Sequence, residues 1–157
     1  MRKKGQAAME FLMTYGWAII VVLAAIAALA YFGVLSPANL LPERTTFPAP
    51  IQHLDNAVIS SDGTVTLALA NNVGARIEIN STGAVSATDD CDVQSYEVRV
   101  DGAPTEEVSN GANFILEIDC GTLESGDRFS SDISITYLNT ASGLERPHQG
   151  SVQGRVN

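Results

Sequence analysis

The N-terminal residues combine a basic tip, a small residue and a single carboxylate. A small residue is typical of a proteolytic cleavage site, and the carboxylate could form an ion pair. Positions 2–4 are Arg-Lys-Lys, Gly5 and Gln6 follow, and Glu10 precedes an uncharged run over 11–35. A secretory signal carries its small-residue cleavage site after its apolar core. Here the small residue comes first, so cleavage between Gly5 and Gln6 would leave the apolar run attached to the chain. Because a lone carboxylate is costly to desolvate at the edge of such a run, Glu10 needs a partner.

The apolar run is long enough to cross a membrane as a helix. Its 25 residues extend about 37 Å at about 1.5 Å per residue, which exceeds the ~30 Å hydrocarbon core. The basic tip should remain on the cytoplasmic side, and the rest of the chain should face outwards. A buried core helix is the alternative, but a soluble module of this size could hardly cover the run on all faces. We predict a helix over 6–36, ended by Ser36 and Pro37 because the residue before proline avoids helical geometry.

The composition favours one acidic, extracellular domain after the helix. The 157 residues carry a formal net charge of −9, and no lysine occurs beyond Lys4. Cleavage after Gly5 would remove a leader over 1–5 with three cations and lower the net charge to −12. Nucleic-acid binding depends on neutralising phosphates with Lys and Arg, so we expect no nucleic-acid partner. An acidic surface of this kind favours solubility.

Beyond the helix, the residue pattern becomes proline-rich and then alternating. Four prolines over 37–50 predict an extended neck. Over 51–157, apolar and polar residues alternate in short segments separated by turn signals, which is typical of half-buried strands. The apolar members of these segments are Val65, Leu67, Leu69, Ile77, Ile79, Tyr96, Val98, Val100, Phe114, Leu116, Ile118, Ile133, Ile135, Tyr137, Val152 and Val156. The pattern predicts an α+β chain in which one long N-terminal hydrophobic helix precedes a small antiparallel β-sandwich of about six or seven strands, immunoglobulin-like in architecture.

The two cysteines of the chain, Cys91 and Cys120, both lie in the predicted sandwich. An even number of cysteines in an exported domain favours a disulfide, because the extracellular environment is oxidising. A pair of buried free thiols is the alternative. Two cysteines with distant histidines lack the ligand spacing of a zinc site, so we expect no metal and no cofactor.

Few other residues have the spacing of a chemical site. His53 and His148 have no nearby nucleophile or paired carboxylate, so the sequence predicts no catalytic site and no enzyme. Aspartates at 89, 90 and 92 surround Cys91, but the glycine and distal glutamate of a calcium-binding EF-hand loop are missing. This favours a solvated loop over weak cation binding. Asn80 begins an Asn-Ser-Thr sequon on a turn-like stretch and is the glycosylation candidate.

The order of a basic tip, Gly5-Gln6, Glu10 and a long apolar helix resembles the class III signal peptide of archaeal type IV pilins. The resemblance extends from residue 2 to about residue 35. It implies that a prepilin peptidase cuts after Gly5, which leaves Gln6 first and Glu10 fifth in the mature chain. Ala8 stands where family members often have serine. Bacterial type IV pilins usually begin with phenylalanine and often carry a proline within the helix, and this chain has neither.

The resemblance implies a structural subunit of an extracellular pilus filament that serves adhesion. The precursor would span the membrane with its N-terminus in the cytoplasm, and the cleaved chain would polymerise with copies of itself through the apolar helix. The implied partners are the prepilin peptidase, a pilus assembly ATPase and its membrane platform protein. In the filament, the α-amine of Gln6 in one subunit would pair with Glu10 of a neighbour and set the axial register. Small residues would let the helices approach closely: Ala24, Ala25, Ala27, Ala28 and Ala30.

Two other classes of protein are alternatives. One is an uncleaved, membrane-anchored β-sandwich that binds a glycan or another surface protein. The other is a membrane-tethered hydrolase, for which the sequence offers no nucleophile–base pair. The N-terminus of the native protein distinguishes the first alternative from a pilin, because an uncleaved chain begins at Met1 or Arg2 instead of Gln6.

Overall fold

A computed structural model describes residues 3–31, 42–80 and 83–157 of the chain. The chain divides into two compact units, Met1–Leu41 and Pro42–Asn157, and the second is called the head below. The described part of the first unit is the α-helix α1 (Lys3–Tyr31), and the head contains antiparallel strands. This layout confirms the predicted α+β class, in which a long apolar helix precedes a β-rich part.

Residues that favour helix dominate α1. Alanine and leucine are frequent, proline does not occur, and Gly16 does not interrupt the helix. The Thr14 hydroxyl donates to the backbone carbonyl oxygen of Glu10 at 2.9 Å, one turn earlier, so this polar group is satisfied within the helix. The helix begins at Lys3, before the predicted start at residue 6, and residues 32–36 of the predicted helix lie outside the described part of the chain.

Within its described residues, the head consists of twelve strands in two sheets. The strands are β1 (Arg44–Thr46), β2 (Ile51–His53), β3 (Val58–Ile59), β4 (Thr64–Asn71), β5 (Ile77–Glu78), β6 (Val85–Ala87), β7 (Ser95–Val100), β8 (Ala103–Pro104), β9 (Glu107–Val108), β10 (Asn113–Asp119), β11 (Arg128–Asn139) and β12 (Leu144–Arg155). The first sheet has the order β1-β12-β11-β5-β9, and β6 also pairs with β11. The second sheet has the order β2-β4-β10-β7-β8, and β3 also pairs with β4.

The predicted alternating segments correspond to six of these strands, namely β4, β5, β7, β10, β11 and β12. Val152 lies in β12, and Val156 follows that strand directly and is buried. The other six strands, β1, β2, β3, β6, β8 and β9, have two or three residues each. A stretch of two or three residues displays an alternating pattern only where the pattern continues beyond it, as Ile79 continues it after β5. The strand conformation of the others depends on pairing with neighbouring strands.

The two sheets share one hydrophobic core. Leu67 and Leu69 of β4 and Leu116 of β10 are fully buried side chains of the second sheet. Ile133 and Ile135 of β11 are fully buried side chains of the first sheet and belong to the same cluster. Because each such side chain stabilises the fold by about 1.5–3 kcal/mol on burial, the shared core holds the two sheets together.

The start of the head differs from the sequence prediction, which assigned 37–50 to an extended neck. β1 pairs with β12, and Thr45 and Phe47 are buried. The Phe47 ring occupies the space beside Gly150 that a side chain there would fill. Burial of an aromatic ring outweighs the local preference of the neighbouring prolines for an extended, solvated chain. Residues 42–50 therefore belong to the head, and 37–41 lie outside the described part of the chain.

A buried polar side chain, Asn71, connects the two sheets. Its Nδ2 donates to the carbonyl oxygens of Val108 at 3.0 Å and Ser109 at 3.1 Å. Val108 belongs to β9 of the first sheet, whereas Asn71 ends β4 of the second. Its Nδ2 also donates to the Ala75 carbonyl oxygen, and its Oδ1 accepts from the Val73 N–H, both at 3.0 Å. With its amide satisfied in this way, the buried polar group stabilises the contact between the sheets.

Candidate assembly and processing site

The three residues predicted for processing and assembly all lie near the start of α1. Gly5 is exposed, and a Cβ added there would meet no atom within 4 Å. Gln6 and Glu10 are four residues apart, so they lie one helical turn apart on the same face. The structure therefore brings Gly5, Gln6 and Glu10 together at one end of α1.

The rest of α1 presents uncharged side chains on every side. Met13 and Val22 lie on opposite sides of the helix at about 3.6 residues per turn, and they are 83% and 57% exposed. By length and composition, the segment Ala7–Tyr31 is suited to crossing a membrane, a property that signal sequences share. Exposed apolar side chains on all faces distinguish α1 from an amphipathic surface helix, which has one polar face.

One face of α1 carries a shallow apolar groove of about 410 Å³. Residues at the spacing of one helix face line it: Phe11, Tyr15, Ala18, Ile19, Val22 and Leu23. The rings of Phe11 and Tyr15 pack together, with centroids 4.8 Å apart. The five alanines predicted to allow close approach are exposed further along the helix. Such ridges and grooves are the surface features through which helices pack on one another.

The predicted disulfide between Cys91 and Cys120 is confirmed. Cys120 directly follows β10 of the second sheet. Cys91 lies in the connection between β6 and β7, which hydrogen-bonds to β11 of the first sheet: the Ser130 N–H donates to Asp90 Oδ2 at 2.8 Å. Both cysteines are buried, and their bond links the two sheets at one end of the head.

Replacing both cysteines with serine, Cys91→Ser together with Cys120→Ser, should lower the free energy of unfolding of the head by about 3–4 kcal/mol. The bond joins residues with a sequence separation of 29, so its removal gives the unfolded chain more conformational freedom. Urea unfolding of the full chain in detergent, followed by circular dichroism, measures the change. A reductant should cause the same loss in the native chain and none in the double variant. Equal stability of the oxidised and reduced native chains would contradict the prediction.

Two of the aspartates around Cys91 accept hydrogen bonds within their own loop, and the third, Asp90, accepts from β11. Thr88 Oγ1 donates to Asp89 Oδ2 at 3.1 Å, and Gln94 Nε2 donates to Asp92 Oδ2 at 3.1 Å. In the described part of the chain, no three His, Cys, Asp or Glu side chains come close enough together to hold a metal ion. These side-chain contacts hold residues 88–94 of the loop together.

The two histidines connect segments of the head. His148 is 8% exposed, and its Nε2 lies 2.9 Å from the carbonyl oxygen of Ile51. This contact joins β12 of the first sheet to β2 of the second. The Phe47 N–H donates to Nδ1 of the partly buried His53 at 3.1 Å. Both rings therefore help to hold the start of the head against the core.

Asn80, the glycosylation candidate, is exposed two residues after the end of β5 and lines a cavity that sequence reasoning did not predict. The cavity has a volume of about 370 Å³. Two backbone hydrogen bonds hold its walls together: the Ile79 N–H donates to the Glu106 carbonyl oxygen at 2.9 Å, and the Thr105 N–H donates to the Val98 carbonyl oxygen at 2.8 Å. These residues come from two parts of the chain, the segment after β5 and the hairpin of β7 and β8, which meet only in the folded head. No local pattern could therefore have revealed the cavity.

The cavity combines an aromatic hydroxyl with carboxylates. Burial and, to a smaller extent, the Glu106 carboxylate raise the pKa of Tyr96 above its ordinary value, so its hydroxyl remains protonated. Glu97 also lines the cavity and accepts a hydrogen bond from Arg99 Nε at 2.7 Å. That bond, together with the charges of Glu117 and Glu97, raises the pKa of Arg99. The site can therefore offer hydrogen bonds and an apolar ring face to the same ligand.

Comparisons with known proteins identify no relative of this chain: no family model, no curated protein and no solved structure matches it. The fold and the site therefore define a broad class, a chain with an N-terminal apolar helix and an antiparallel, disulfide-linked β-rich head.

Proposed function

We propose that this chain is a structural subunit of an extracellular filament of the archaeal type IV pilus class and that the filament serves adhesion. The observation that carries the proposal is the surface of α1. Its side chains beyond Gly5 are uncharged on every face except at Glu10, which lies one turn from Gln6. A simple anchor needs only length and apolar character. A small residue before the span and a carboxylate at its edge are additional features that a cleaved, polymerising subunit would use.

Processing would turn a membrane precursor into an assembly-competent subunit. A prepilin peptidase hydrolyses the peptide bond between Gly5 and Gln6, which leaves a carboxylate on the leader and a new α-amine on Gln6. Because the cations of the basic tip leave with the leader, the electrostatic preference that holds this end in the cytoplasm is lost. The remaining helix can then leave the lipid wherever other apolar helices replace it.

Assembly would bury α1 against copies of itself. The groove beside Phe11 and Tyr15 and the exposed alanines provide surfaces on which a neighbouring α1 can pack. Contacts between different faces of successive subunits do not close, so they generate a helical filament. Glu10 would be buried among apolar helices, and the Gln6 α-amine of a neighbour would compensate its charge and select the axial register. An assembly ATPase and its membrane platform protein would drive the transfer from the bilayer.

We also propose that the head is an immunoglobulin-like β-sandwich displayed on the outside of the filament. Two antiparallel sheets with a shared core support this assignment, as does the disulfide between them. The excess of carboxylates in the head keeps neighbouring heads soluble and separate. The head would then carry the adhesive surface, and α1 would carry the structural role.

Replacing Glu10 with alanine should reduce filaments by at least about tenfold, because the Gln6 α-amine of the neighbouring subunit would be buried without its counter-charge. Electron microscopy of surface filaments measures the effect, and mass spectrometry should show that the variant is still cleaved before Gln6. Glu145→Ala removes an exposed carboxylate of the head and should leave filament number unchanged. If the Glu10 variant polymerised as readily as the native chain, the register role would be wrong.

A further inference from the structure

The cavity beside Asn80 has the size and the chemistry of a sugar-binding site. Its volume of about 370 Å³ lies at the small end of the range of about 300–1,000 Å³ that ligand pockets occupy. The Tyr96 ring and Val98 provide apolar surface, and Thr105 and Glu106 provide polar groups at the same cavity. A pyranose ring has an apolar C–H face and a rim of hydroxyl groups, so it can stack on the aromatic ring while its hydroxyls bond to polar neighbours.

The position of Asn80 brings a modification site to this cavity. Asn80 is exposed and is itself one of the lining residues. The residue before it, Ile79, is hydrogen-bonded to the Glu106 backbone at 2.9 Å, which holds the base of the Asn80 side chain at the cavity wall. Asn80 Nδ2 lies 3.5 Å from Glu78 Oε2. The Ser-Thr pair that completes the sequon occupies 81–82, outside the described residues.

We propose that Asn80 carries an N-linked glycan and that the first sugar of this glycan occupies the cavity lined by Tyr96 and Glu106. The modification requires a lipid-linked sugar phosphate as donor and a membrane-bound transferase. Asn80 Nδ2 forms a bond to the anomeric carbon of the sugar, and the bond from that carbon to the donor phosphate breaks. The phosphate leaves on the lipid, and the amide loses one proton to a base of the transferase. The inference needs only that the head faces outwards and does not depend on filament assembly.

Tethering explains why a covalently attached sugar is the occupant that the structure favours. A single sugar bound from solution loses its translational freedom, which costs free energy. An open cavity of this size offers few contacts to offset that cost, so binding of a free sugar would be weak. A sugar attached to Asn80 has a local concentration of roughly millimolar or above at the cavity, so a weak interaction is enough for occupancy. The glycan would cover the apolar face of Tyr96 and the edge formed by β7 and β8.

Mass spectrometry of the chain purified from its native cells tests the modification. Trypsin cleaves after Arg76 and Arg99, so reduction of the disulfide releases Asn80 in the peptide 77–99. The native peptide should carry the mass of a glycan. Thr82→Ala should remove this mass although Asn80 is unchanged, and Thr82→Ser should retain it. A native peptide of unmodified mass would overturn the proposal, and this readout is available from membrane precursor whether or not filaments form.

Hydrogen exchange tests whether the sugar occupies the cavity. Backbone amides of 95–100 and 103–107 should exchange more slowly in the glycosylated chain than in Thr82→Ala, by about tenfold if the cavity is occupied about nine-tenths of the time. Tyr96→Ala removes the stacking surface and should abolish this difference while Asn80 remains glycosylated. Tyr96→Phe keeps the ring and should preserve most of it. Should Tyr96→Ala unfold the head, Glu106→Ala provides a second variant and should reduce the difference. Equal exchange in glycosylated and unglycosylated chains would overturn the assignment of the cavity.

Discussion

A chain with leucine in place of Gly5 should accumulate in the membrane as an uncleaved precursor and should form no filaments. Leucine is a good helix former, and a Cβ added at this position would meet nothing within 4 Å. The substitution therefore leaves α1 intact, and its effect must arise where the peptidase binds the residue before the scissile bond. Mass spectrometry of the membrane fraction should find residues 2–4 still attached to the chain. Electron microscopy should find cells without surface filaments.

A matched substitution on the same helix separates processing from helix stability. Gly16→Leu makes the same change in the middle of α1, where the site is also free of close contacts, and its chain should begin at Gln6 as the native chain does. If Gly5→Leu also began at Gln6, the assignment of the cleavage site would be wrong. A native chain that begins at Met1 or Arg2 would instead support the uncleaved, membrane-anchored binding protein.

Gly63→Ala should destabilise the head by about 4 kcal/mol or more, a large part of the roughly 5–15 kcal/mol by which domains are stable. Gly63 has φ +94°, a conformation that costs a residue with a Cβ about 1–2 kcal/mol. An added Cβ would also overlap the Gly121 carbonyl oxygen and lie 2.6 Å from its carbon. Relief of this overlap must move the backbone and break the hydrogen bond in which the Cys120 N–H donates to the Gly63 carbonyl oxygen at 2.9 Å.

A matched substitution at Gly74 measures the cost of the positive φ alone, without the steric overlap found at Gly63. Gly74 has φ +88°, but a Cβ added there would meet nothing within 4 Å, so Gly74→Ala should cost only about 1–2 kcal/mol. Urea unfolding of both full-length variants in detergent, followed by circular dichroism of the β-structure, gives the comparison. Equal destabilisation by the two substitutions would show that the contact between Gly63 and Gly121 is not close.

The elements that sequence reasoning predicted well are those whose signal is local. An uncharged run of apolar residues forms α1, and long alternating segments form β4, β10 and β11, because each carries several turns or pleats of repeated pattern. The disulfide followed from an even number of cysteines in a domain expected to be exported. Prediction and structure differ where packing between distant residues decides: the prolines around Phe47 indicated a neck over 37–50, whereas burial of the ring places 42–50 in the head.

The candidate sites also differ in whether their residues are close together in the sequence or only in the folded chain. Gly5, Gln6 and Glu10 are close in sequence, so their common position on α1 could be predicted from helical spacing. The cavity beside Asn80 depends on the contact of Ile79 with Glu106, and no pattern in the sequence joins these two residues. Likewise, no pattern around Asn71 indicated that its amide connects the two sheets.

The sequence by itself therefore determined the apolar helix with Gly5, Gln6 and Glu10 at its start. It also determined the alternation of the long strands and the even number of cysteines. All of these depend on composition or on residues within a few positions of one another. Only the tertiary structure decided which short segments become strands, where the head begins, what surrounds Asn80, and that Gly63 must lack a side chain beside Gly121. These features arise from contacts between residues far apart in the chain, which form when the two sheets bury their shared core.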